Sequence, residues 1–420
     1  MATKLTRTLS RKIERRYSVK AVSQAFGDVE AILRNGTTSA TTTDPVQVLE
    51  SWVSKMDNQF STSGGFSNPD CPHAFLSLLE SPFFSTNLNA IVDYLSSRVE
   101  QRVIRRVAWI FHLLVLGAQS LYPNLYDLLV DTVPIVSRLK TYITRAYDLP
   151  LKFPALTLLT HLCNQMVLSE SDFTLLDDSF IAYLLYAVEK SSYSDEQCNE
   201  AASQLLVAIH KQCRLRPSSQ DSWDGSPGNT PRPIWSRTSS PTSSDSPLLT
   251  PASVGLKQRC TSSSGITPNA SVSKIVFNLG REQGNCTAFV ANLIFMLNRE
   301  QEPTAILSLL DLITSIVTTP ATFTLFFTND LKVLVDVVIR ELYNLPADAD
   351  SLRLAYLRLL PSIVLNTQYL KFRHRAAHLA SLLRNLTSRE SLALVSSEVG
   401  KQAIQTARLC EESLAYGPLV

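Results

Sequence analysis

The sequence predicts an all-α fold, an armadillo- or HEAT-like helical solenoid interrupted by a long disordered insertion. Three observations carry this expectation. Leucine is the commonest residue, with 62 copies against 13 glycines. Apolar residues recur at helical spacing along most of the chain, and no stretch shows convincing β alternation. About fourteen such segments follow one another every ~15–25 residues, most of them apolar on more than one side, which suits stacked helices better than a single bundle. No tight repeat signature of the tetratricopeptide or ankyrin kind is visible.

Residues 1–45 form a basic segment, read as disordered. Seven Lys/Arg face one acid, Glu14, within "MATKLTRTLSRKIERRYSVK", and Leu5, Leu9 and Ile13 share one helical face. Three readings compete: a solvated tail, a weak contact to a membrane or an acidic protein surface, and a mitochondrial presequence. The first part of the helical domain, residues 46–215, opens on Asp44-Pro45, an N-cap followed by proline at the first helical position. Its segments include "VQVLESWVSKM", "NLNAIVDYLSSRV", "ALTLLTHLCNQMVL", "FTLLDDSFIAYLLYAVEK" and "DEQCNEAASQLLVAIHKQC", with Ser194-x-x-Gln197 as a capping box. The longest apolar run, Val107–Ala118, has 12 residues. A membrane span needs ~20, so the run reads as a core helix.

Residues 216–270 hold eight of the chain's 21 prolines amid serine and threonine. Such composition cannot bury enough apolar surface to offset its ordering entropy. Six Ser/Thr-Pro pairs, at Ser226, Thr230, Ser240, Ser246, Thr250 and Thr267, are candidate sites of proline-directed phosphorylation; an inert loop is the competing reading. The insertion leaves one continuous stack, because lengthening a loop adds little closure entropy. Helices resume in the second part, residues 271–415. Glu302-Pro303 places proline at a helix start and Thr387-x-x-Glu390 is a second capping box.

Composition narrows the functional classes. Net charge is +2, and no base-stacking platform is evident, so nucleic acid is not the expected partner. Seven scattered cysteines without a CxxC pair suit reduced thiols in a cytosolic protein rather than zinc. No GxGxxG, phosphate loop, GxSxG or HExxH occurs, so no enzyme, cofactor or metal is expected. Cys286 lacks a His and Asn/Asp context and reads as a packed cysteine at a helix start. Asp177-Asp178 reads as a capping or solvated pair. His374 and His378, spaced i, i+4, could share a helix face, but two histidines make weak evidence for metal.

Two polar features remain as candidate contacts. In "FFTNDLKVLVDVVIRELYNLP" (326–346), Lys332, Asp336 and Arg340 form one strip, whose opposite charges are expected to pair with each other. Leu331, Leu334, Val335, Val338, Leu342 and Leu345 form the apolar face, broadened by Val333, Val337 and Ile339. Some thirty residues on, Lys371, Arg373, His374 and Arg375 make the densest basic cluster of the folded part. It is either a solvated turn or a contact to an acidic protein surface. A further basic group lies at 102, 105 and 106.

The run "FFTNDLKVLVDVVIRELYNLP", followed by "LRLAYLRLLPSIVLNTQYLKFRHRAAHLASLLRNL", resembles the leucine-rich domain of the WISH/DIP/SPIN family. The resemblance covers residues ~285–390 and implies an armadillo-like fold. It also implies an activator of the Arp2/3 complex that nucleates linear actin filaments without a preformed mother filament. These filaments seed branched networks at cortical endocytic patches. The partners implied are the Arp2/3 complex and, through it, the actin filament; the location implied is cytoplasmic. Animal relatives carry an SH3 domain; no SH3-like strand pattern occurs here, so the chain is closer to the shorter fungal members. A passive solenoid adaptor without nucleation activity is the alternative.

Overall fold

The computed structural model describes residues 44–60, 78–91, 117, 125, 127, 134–144, 149–190, 196–216, 273–282, 286–346 and 348–416. Among the described residues the regular structure is helical, without a strand. Helices α1 (Pro45–Phe60) and α2 (Pro82–Thr86) are followed by α3 (Ile135–Thr144), α4 (Leu149–Gln165), α5 (Glu170–Leu175), α6 (Asp178–Lys190) and α7 (Glu196–Arg214). Then come α8 (Lys274–Arg281), α9 (Thr287–Arg299), α10 (Pro303–Thr318), α11 (Thr328–Asn344) and α12 (Asp350–Asn366). The last are α13 (Tyr369–Phe372), α14 (Ala376–Leu386), α15 (Arg389–Leu394) and α16 (Ser397–Tyr416). The expectations for residues 1–43 and 217–270, with all six Ser/Thr-Pro sites, lie outside the described residues. So do Ser194, Arg102, Arg105, Arg106 and all of Val107–Ala118 except Gly117.

The packing is that of a helical solenoid. Helices α4, α7, α10, α12 and α16 lie one on the next in a row. Helices α6, α9, α11 and α14 make a second row, paired respectively with α7, α10, α12 and α16. An inner helix therefore has neighbours on several sides, which is why the sequence is apolar around more than one face. The rows continue from α7 to α8–α10, because the helices on both flanks of the Ser/Pro-rich segment belong to one compact unit.

Local chemistry sets the helix ends. Asp44 Oδ1 accepts from Val46 N at 3.0 Å, and Glu302 Oε1 accepts from Thr304 N, each ahead of a first-position proline. Two expected single helices are broken. "FTLLDDSFIAYLLYAVEK" divides into α5 and α6 because Asp177 takes an N-cap position, its Oδ1 accepting from Phe180 N at 2.9 Å. The run from Glu390 to Leu414, expected as one helix, divides into α15 and α16, with Ser396 Oγ accepting from Val399 N at the start of the second. Ser388 rather than Thr387 caps α15, accepting from Ser391 N, while the Thr387 hydroxyl turns back to Leu383 O.

Buried polar side chains repair the defects that stacking creates. Pro361 stands inside α12 and has no N–H for Leu357 O. Thr406 of α16, fully buried, donates its hydroxyl to that carbonyl at 2.9 Å. Gln212 of α7 donates Nε2 to Cys163 O and Met166 O at the end of α4 and accepts from Leu168 N. Arg353, 6% exposed, donates Nη2 to Leu345 O and Pro346 O beyond α11.

One polar node spans the Ser/Pro-rich segment. His210 of α7 is 1% exposed. Its Nε2 lies 2.9 Å from Asp311 Oδ2 on α10 and its Nδ1 2.8 Å from Ser273 Oγ, the N-cap of α8. A carboxylate only accepts, so Nε2 donates, and in the neutral ring Nδ1 accepts the Ser273 hydroxyl. Arg214 adds an ion pair to the same Asp311 oxygen at 3.1 Å. Nearby, Arg216 and Lys274, at the two edges of that segment, both lie over the Phe173 ring.

Burial pushes the Asp311 carboxyl up, but the hydrogen bond and charge of His210 and the charge of Arg214 outweigh it and hold the group below its usual value. The unfolded chain therefore binds the proton more readily. This contribution to stability is present above the unfolded carboxylate pKa and is lost as pH falls through the folded one. Denaturant titrations from pH 6 downward should show stability declining through the carboxylate range, with a flatter decline in Asp311→Asn. Ser273→Ala removes both the α8 cap and the partner of a buried imidazole. It should lower unfolding free energy by about 1–3 kcal/mol at neutral pH.

Candidate protein-binding site

Helix α11 explains its own sequence. Leu331, Leu334, Val335, Val337, Val338, Ile339 and Leu342 are buried between α9, α12 and α14. Burying each large side chain stabilises by roughly 1.5–3 kcal/mol, whereas an exposed ion pair is worth about 0–1, so packing decides this helix. Val333 departs from the expected apolar face: it is 49% exposed. Phe327 is the N-cap, and Asp330 Oδ2 accepts from Phe327 N at 3.1 Å.

The polar strip does not pair within itself. Arg340 turns to Glu341, 2.6 Å from Nη2, and to Asn298 of α9 at 2.7 Å. Asp336 turns to the basic cluster instead. Its Oδ1 accepts from His374 Nε2 at 3.0 Å and lies 2.7 Å from Arg375 Nε. The two candidate contacts read separately from the sequence thus form one surface, joined by a carboxylate. Lys332 is half-buried on α11 and Lys371 is exposed on α13.

The cluster is a turn between two helices, so His374 and His378 do not share a helix face: His374 lies in the turn and His378 on α14. Arg373 ends α13 at φ 48° and Arg375 caps α14 at φ 51°. They are the two non-glycine residues with positive φ among the described residues. Such conformations persist where the surroundings over-determine them. Here Arg373 N donates to Tyr369 O, Leu379 N to Arg375 O, and the buried Tyr369 donates its hydroxyl to His374 O at 2.8 Å. Burial pushes the Tyr369 hydroxyl up to about 12, so it stays a donor. Arg373 Nη2 is shut off from solvent without a hydrogen-bond partner, and this end of the side chain is not offered outward.

The other sequence candidates fall into structural places. Cys286 is the buried N-cap of α9, and burial, with Glu189 and Glu282 nearby, pushes its thiol up to about 12. A thiol so poised is a poor nucleophile. Asp178 accepts from Asn278, and Asp177 pairs with Lys140 at 3.1 Å. Burial raises the Asp177 carboxyl, but the bonds from Phe180 N, Ser179 and Lys140 outweigh it and hold it low. No group of three or more metal-ligating side chains is assembled among the described residues, and no helix among them is long and apolar enough to cross a membrane. A groove of about 680 Å³ runs between α4, α7, α9 and α10, with Phe295, Lys211 and Glu200 in its lining.

Among the described residues the fold is a stack of helices that carries a basic turn between α13 and α14 on its surface. Residues 195–379, from α7 into α14, match the family model of the SPIN90/Ldb17 leucine-rich domain. This stretch is similar to that domain, and it takes in most of the run whose sequence resembles the WISH/DIP/SPIN family. The chain is 46% identical over 76 residues to Protein dip1 of Schizosaccharomyces pombe, covering 18% of this chain and 20% of that protein. It is 32% identical over 135 residues to Protein LDB17 of Saccharomyces cerevisiae, covering 30% and 27%. LDB17 of Eremothecium gossypii is 31% identical over 123 residues, covering 29% and 27%. The matches thus span at most about a quarter of each relative. A solved structure of an engineered protein aligns over 77% of this chain and 97% of its own at 13% identity, but a TM-score of 0.36 defines no common fold.

Replacing Arg373 by glycine removes a left-handed non-glycine residue and the unpartnered buried Nη2 together. Arg373→Gly should raise unfolding free energy by about 1 kcal/mol, read as a higher denaturant midpoint at unchanged slope.

Proposed function

We propose that this protein activates the Arp2/3 complex, nucleating linear actin filaments without a preformed mother filament and so seeding branched networks at cortical endocytic patches. The observation that carries the reading is the match of residues 195–379 to the SPIN90/Ldb17 leucine-rich domain. The mechanism is allosteric: the protein binds the active arrangement of the complex more tightly than the inactive one, since equal affinity for both would shift nothing. The contact surface includes the turn with Lys371, His374 and Arg375 and the adjoining α11 strip, Lys332 and Arg340; Arg373, drawn from the sequence as a contact, shapes the turn through its backbone. A stacked helical body with an over-determined turn suits this role, because a preformed surface loses little entropy on binding.

Phosphorylation of the Ser/Thr-Pro segment is the regulatory input in this scheme, and the basic N-terminal segment supplies a weak contact to an acidic surface. The second reading is a passive adaptor that holds partners without activating them.

Pyrene-actin polymerisation with purified Arp2/3 complex and no preformed filaments separates the two. The expected result is acceleration over the complex alone, with short linear filaments by microscopy. Binding without acceleration would leave the adaptor, and no binding would remove both.

A further inference from the structure

We infer that Arg375 is the docking arginine of this surface and that it takes a carboxylate of an acidic partner protein through the two Nη groups of its guanidinium. The inference rests on the proposed function and names the chemistry of its contact. Asp336 Oδ1 lies 2.7 Å from Nε, the inner edge of the group. Neither Nη group is hydrogen bonded among the described residues, and the side chain is 49% exposed. A guanidinium held at Nε keeps its outer fork, two parallel N–H donors whose spacing matches a carboxylate.

Asp336 is a positioning residue for that fork. Its neighbours Val335 and Val337 are buried, so the α11 backbone beneath it is fixed. His374 Nε2 holds the same oxygen at 3.0 Å. An otherwise loose side chain is thereby ordered before any partner arrives, which lowers the entropic cost of docking. The backbone points the same way. Arg375 occupies a left-handed position that glycine would fill without strain, and such outliers gather at ligand clamps. Exposed Lys371 adds positive charge beside it. A phosphate dianion calls for several donors at once, but His374 is committed to Asp336, and Arg340 to Glu341 and Asn298. A single carboxylate fits the fork that remains.

The test measures binding of purified Arp2/3 complex to the full chain and to Arg375→Lys, Arg375→Gly, Asp336→Asn and the Arg375→Lys/Asp336→Asn pair. Arg375→Lys keeps the charge and loses the fork, so its affinity should fall about tenfold with the thermal midpoint unchanged. Arg375→Gly relieves the backbone, stays folded and should bind at least as weakly. Asp336→Asn should weaken binding in the parent chain but add nothing in the Arg375→Lys background, the non-additivity of a residue acting through another. Parental affinity in Arg375→Lys overturns the fork while leaving the proposed function standing. Additive losses in the paired variant overturn the positioning role of Asp336. No binding by the parent chain overturns the proposed function and this inference with it.

Discussion

His210 ties together three helices that are far apart along the chain. Its partners Ser273 and Asp311 lie 63 and 101 residues away, and each ring nitrogen has one of them. A buried imidazole with one nitrogen unsatisfied would be costly, so the node adds to the packing that holds α7, α8 and α10 together. Across the Ser/Pro-rich segment, helices α6 and α7 pack on α8, α9 and α10, and this polar joint lies within that packing.

The stack also decides where polar groups can go. Helix α11, with α9, α12 and α14 around it, retains a narrow outward strip, and even that strip is drawn toward neighbours. Asp336 is used by the turn between α13 and α14, and Arg340 by Glu341 and Asn298. The charges still available to a partner are therefore fewer than the sequence suggests. A run of cations in a sequence measures potential; the structure shows how much of it is already spent within the molecule.

Much of the architecture was legible in the sequence. Leucine content, helical periodicity and the Asp-Pro and Glu-Pro starts lead to the all-α stack and to correct helix beginnings at Pro45 and Pro303. Breaks between helices were harder to read. Asp177 and Ser396 separate helices without glycine or proline, because a side-chain oxygen takes a backbone N–H at the start of the next helix. A turn at Arg373–Arg375 was one of two readings of the sequence, but its left-handed backbone was illegible, since such positions usually announce themselves by glycine or asparagine. The Asp336 contacts could not be read at all. They join residues 38 or more apart, and the sequence offers a nearer partner, four residues along the same helix, that the structure passes over.

Pro361 and Thr406 carry one more consequence. The carbonyl that the proline leaves unpaired in α12 is completed by a hydroxyl from α16, some forty-nine residues on. The stretch that matches the family domain ends at residue 379, short of that hydroxyl. A fragment cut to the matched boundary would keep the defect and discard its remedy, and would also strip α12 of its neighbour in the row. The span that defines kinship and the span that can stand as a folded body are of different lengths.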